Sequence, residues 1–120
     1  MQQLLAWHQD RKVRVLVVWE PILITDWRPP GSAALGRIPD GRVRQFWDPK
    51  HLVAEELTRI TNQQSPQLKP DCCMKKGFHW DEGVLYGLHS NWKDAPTPVF
   101  WNGPVFRVVP ALEKAWRVIR

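Results

Sequence analysis

Two adjacent cysteines, Cys72 and Cys73, have the widest chemical reach in this chain. Neighbouring Cα atoms lie about 3.8 Å apart, below the usual disulfide range, so a bridge between them would be strained. Two adjacent thiols can instead hold a soft metal ion, with His79 or Asp71 as a further ligand. Lys75 and Lys76 follow closely and would favour the thiolate, which points to redox chemistry. The spacing Cys-Cys-x5-His is not a standard zinc pattern, and inert structural or surface cysteines are the plain alternative.

A second group is acidic and aromatic. Glu20 and Asp26 follow the apolar run Val13–Trp19, at the strand end where α/β folds place ligands. With Trp19, Trp27 and Trp47 they would form an acidic, aromatic-walled cleft. Asp48, Asp81 and Glu82 are further carboxylates for the same end of a sheet, although Asp48 reads better as a helix cap than as a catalytic acid. The histidines His8, His51, His79 and His89 form no H-x-x-x-H pattern and read as packing or surface residues. No phosphate-binding glycine loop, nucleophile elbow or zinc-protease helix motif is present. The chain displays no complete enzyme active site.

These residues need elements to position them. Gln2 to Gln9 predicts a short helix. Val13–Trp19 is β-branched and almost continuously apolar, which predicts a strand covered on both faces. Glu20 to Pro39 is proline-rich and predicts loop, with a short helix over Ser32–Ile38 capped by Ser32. Arg42–Trp47 predicts a half-buried strand after the Asp40-Gly41 turn. Asp48-Pro49 predicts a helix start with Pro49 in its first position; Val53, Leu57 and Ile60 make the buried stripe, and the helix fades near Asn62 to Gln64. Gln67 to Phe78 predicts irregular chain, Gly83–Leu88 and Val99–Trp101 predict strands, and Asn102-Gly103 predicts a turn. Pro110 to Ile119 predicts a closing helix that starts at Pro110 and buries Leu112, Ala115, Trp116 and Ile119.

The bulk properties agree with one α/β domain spanning residues 1–120. Hydrophobic residues are 43% and charged residues 24%, a globular balance that excludes a disordered chain. No apolar run reaches the roughly 18 residues of a membrane helix. The N-terminus lacks a basic, then apolar, leader pattern, so a cytoplasmic location is expected. The net charge of +5 is scattered, which argues against a nucleic-acid surface and leaves weak nucleic-acid binding as a minor alternative. Eight tryptophans read either as anchors that pin loops or as an aromatic binding surface.

Val13–Asp26, Trp27-Arg28-Pro29-Pro30 and Arg42–Leu52 with its FWDP segment resemble a bacterial thioredoxin-like family of unknown function. Pro96-Thr97-Pro98-Val99-Phe100-Trp101 is similar to the proline-then-strand step of the thioredoxin fold. The resemblance implies a central mixed sheet with flanking helices. It also implies a departure: the first strand and the Cys-x-x-Cys turn of such domains have no counterpart here. The expectation is a truncated thioredoxin-like binding or accessory protein without the usual dithiol site. Its exposed sheet edge would be covered in a homodimer or other homo-oligomer. No cofactor is expected beyond a soft metal ion in the alternative that uses Cys72, Cys73 and His79 for redox, metal binding or metal tolerance.

Overall fold

The computed structural model describes residues 1–21, 28–63, 74–75, 78–94 and 96–119. It contains both helices and strands, in the order α1 (Gln2–Trp7), β1 (Val15–Trp19), α2 (Ser32–Leu35), β2 (Val43–Trp47), α3 (Leu52–Gln63), β3 (Met74–Lys75), β4 (Phe78–His79), β5 (Gly83–Leu85), β6 (Phe100–Asn102) and α4 (Val105–Val118). A single 3₁₀ turn, Trp92–Asp94, lies between β5 and β6. The chain divides into two compact units, Met1–Val53 and Ala54–Arg120.

In the first unit, β1 and β2 pair in parallel, from Val15 opposite Val43 to Trp19 opposite Trp47. Parallel neighbours need a crossover, and the connection between them carries α2. The strands alternate: Val15, Val17, Val43, Gln45 and Trp47 are half-buried, whereas Leu16, Arg44 and Phe46 are exposed. The expected strand covered on both faces is therefore corrected. Leu16 is 59% exposed: Arg44 stands directly opposite it, and a guanidinium with no salt bridge among the described residues favours keeping that face in water.

Helix α1 has only six residues, too few to persist alone. Arg42 holds its end. Nη1 donates to the carbonyls of His8 (2.7 Å) and Arg11 (3.0 Å), and Nη2 donates to that of Leu5 (2.7 Å). The carboxylate of Asp40 grips the same guanidinium at Nε (2.9 Å) and Nη2 (2.7 Å). A helix C-terminus presents unpaired carbonyls and negative partial charge, which is what an arginine satisfies best.

The starts of α2 and α3 differ from expectation. Gly31, not Ser32, occupies the cap position of α2. Helix α3 begins at Leu52, not Pro49, because Asp48 caps it from four residues upstream: Oδ1 accepts from the N–H of Leu52 (3.0 Å) and Oδ2 from that of Val53 (2.8 Å). Pro49 and Lys50 form the intervening turn. On α3 the deepest residues are Ala54 and Ile60, while Val53 and Leu57 are half-buried.

In the second unit, β5 and β6 pair antiparallel, with Val84 opposite Trp101. Helix α4 packs on both strands and buries Leu112 and Trp116, two of the four residues expected on that face. Leu112 Cδ2 lies 3.8 Å from where a Cβ on Gly83 would stand. Helix α4 starts at Val105 and runs through Pro110, which was expected at its start. Pro110 removes only one donor, while Val105, Val108, Val109 and Leu112 supply a continuous helical stripe. Within the stretch expected to be irregular, β3 and β4 form a short antiparallel pair, with Met74 opposite His79. Among the described residues the strands thus form three separate two-stranded sheets, where a single central sheet was expected.

Candidate functional site

Two carboxylate–imidazole pairs stand out. The first is at the C-terminal end of β1 and β2. The register sets Trp19 beside Trp47, and the N–H of Asp48 donates to the carbonyl of Trp19 (2.8 Å). The Trp19 indole N–H donates to Gln45 Oε1 (2.9 Å), and Gln45 Nε2 donates to the Leu35 carbonyl of α2 (2.8 Å). Helix α2 therefore lies on the side of the pair that carries Trp19 and Gln45. After Asp48 the chain turns, and His51 adopts a left-handed backbone with φ 57°. Non-glycine residues rarely hold that conformation. The turn brings His51 Nδ1 to 3.3 Å from Glu20 Oε2.

Of the expected cleft, Glu20 and Trp47 thus lie at one strand end, together with Trp19. Asp26 and Trp27 lie outside the described residues. Glu20 is engaged by an imidazole rather than presented as an isolated acid. Sequence reasoning missed His51 as its partner, since the two are 31 positions apart and only the parallel register joins them. A carboxylate that holds one imidazole nitrogen fixes the ring's tautomer and orientation, as proton-transfer and metal-ligating histidines require.

The second pair is buried in the second unit. His79 Nδ1 lies 2.9 Å from Glu82 Oε1, and the Trp101 indole donates to Glu82 Oε2 (2.7 Å). The His79 and Trp101 rings lie 5.2 Å apart. A carboxylate only accepts hydrogen bonds, so the proton belongs on Nδ1. His79 is buried, as the packing reading required, and Glu82 is committed to it. Asp81 instead tethers α4: its carbonyl accepts from the N–H of Val105 (3.1 Å). His89 is exposed. Tyr86 sits edge-on to Trp92 at 6.4 Å, and burial pushes its phenol above the ordinary range.

Asp71, Cys72 and Cys73 lie outside the described residues. Among the described residues no group of three or more His, Cys, Asp or Glu side chains is disposed to hold a metal ion. No helix among them is long and apolar enough to cross a membrane.

No protein-family model, curated protein or solved structure matches the chain.

Proposed function

We propose that the chain is a thioredoxin-like binding or accessory domain that works without the usual dithiol site and assembles with copies of itself through an open sheet edge. The order of its pairings carries this reading. A parallel β1–α2–β2 unit is followed, after α3, by an antiparallel β5–β6–α4 unit. These are the two kinds of pairing that a central mixed sheet needs. Among the described residues β1 and β2 pair only with each other. A two-stranded sheet is marginal alone, and its unpaired backbone is a template for another strand.

The test is sedimentation of the full chain over a range of concentrations, with hydrogen exchange of the β1 and β2 amides on the same sample. Self-association of the chain through the open edge of its parallel pair is the expected result. A chain that stays monomeric at high concentration overturns the proposal.

A second reading, thiol redox or soft-metal binding at Cys72 and Cys73, draws on the β3–β4 register. Met74 lies opposite His79, and Met74 directly follows Cys73 in the chain. Glu82 holds the His79 ring by Nδ1, the arrangement found behind metal-ligating histidines. Equilibrium dialysis with Zn(II) and Cu(I) tests it. Binding lost in the C72S/C73S and H79A variants favours this reading, and binding unchanged in them rejects it.

A further inference from the structure

The two faces of the β1–β2 pair are unlike. One is joined to α2 through Gln45. The other presents Leu16 and Phe46, which are 59% and 49% exposed, with half-buried Val18 opposite Phe46. Arg44 stands opposite Leu16, and exposed Arg14 immediately precedes β1. Neither guanidinium has a salt bridge among the described residues, and neither strand contains a carboxylate. The face is therefore an apolar strip with two cations at its N-terminal end, while Glu20, past its other end, is engaged by His51.

We infer that this face binds an amphipathic helix of a partner protein whose apolar stripe is bordered by Asp and Glu. The inference deepens the binding role proposed above and rests on it. A sheet face with an apolar strip is ordinarily covered by a helix. Strand β1 spans roughly 17 Å, which about 12 helical residues match. Charge selects the occupant. A second copy of this basic chain, docked face to face, would set Arg14 and Arg44 against their own counterparts. Single-stranded nucleic acid is read by successive stacked aromatics, and among the described residues of these strands Phe46 is the one aromatic exposed here. A helix with a Leu stripe and acidic flanks meets both features together.

The experiment titrates isotope-labelled full chain with two synthetic helices of about 14 residues, identical in their Leu stripe, one flanked by Glu and one by Lys. An oligo(dT) strand is the third probe. The Glu-flanked helix should shift the resonances of Leu16, Val18 and Phe46, and the Lys-flanked helix should not. The R14E/R44E variant should bind it about tenfold more weakly, while its unchanged spectrum elsewhere shows that it folds. Absence of binding, equal binding of both helices, tighter binding of oligo(dT) at this face, or indifference to R14E/R44E each overturns the inference. The oligomer is read independently by sedimentation and hydrogen exchange, so failure of the parent reading is seen separately.

Discussion

The chain uses the same chemical pair, a glutamate against a histidine, in two places with opposite outcomes. In Glu82–His79 the side chains are 3% and 5% exposed, the contact is 2.9 Å, and Trp101 occupies the second carboxylate oxygen. In Glu20–His51 they are 13% and 21% exposed, the contact is 3.3 Å, and the histidine is delivered by a left-handed turn. The buried pair is closed to solvent and, through Glu82, joins His79 of β4 to Trp101 of β6. The other keeps contact with water at a strand end, where a ligand can reach it. Burial, not residue type, decides which of the two pairs water reaches.

This contrast can be broken by mutation. The largest effect is expected from Glu82→Ala. It strands the His79 N–H and the Trp101 N–H in the interior and should cost about 3 kcal/mol. Glu82→Gln keeps an acceptor for Trp101 and should cost less. Denaturant unfolding measures both, and a Glu82→Ala chain as stable as the parent would mean that the cluster is not closed. Asp48→Ala comes next. It removes the carboxylate that caps α3 and anchors the His51 turn, at about 1–2 kcal/mol. Loss of the Glu20–His51 contact should accompany it, visible in the His51 ring resonances.

Glu20→Ala should cost under about 1 kcal/mol, as for other solvent-reached side-chain contacts. A double-mutant cycle with His51→Ala checks this. A coupling as large as the effect at Glu82 would erase the distinction between the pairs. The smallest effect lies in the acid limb of the stability profile. Hydrogen bonds from the Arg42 side chain and backbone hold the Asp40 carboxyl at about 2, below its ordinary 3.8. A depressed carboxyl stabilises the fold above its ordinary value. That contribution is lost as pH falls from near 3.8 through about 2. Thermal melts over this range should show a shallower acid decline for Asp40→Asn than for the parent.

Much of the local structure was legible in the residues. Both parallel strands, the capping role of Asp48, the end of α3 and the buried Leu112 and Trp116 follow from β-branching, capping chemistry and helical spacing. What escaped depends on partners far along the chain. The apolar run Val13–Trp19 reads as buried until the register sets Arg44 opposite Leu16. Pro110 reads as a helix start because proline is favoured there; the periodic Val105, Val108 and Val109 before it were the signal that α4 begins earlier. The Glu20–His51 pair has no signature in either local segment. The His79-x-x-Glu82 spacing was visible, but its burial under Trp101 needed the β5–β6 register.

Arg42 carries a consequence for motion. Its guanidinium ties the carbonyls that end α1 to the residue that leads into β2. A six-residue helix would ordinarily fray independently, its amide hydrogens exchanging with solvent within moments. With Arg42 as a clasp, the N-terminal turn can open only when the lead-in to β2 also lets go. Its amides should exchange in step with those of the second strand, so the first residues of the chain belong to the same cooperative unit as the parallel pair.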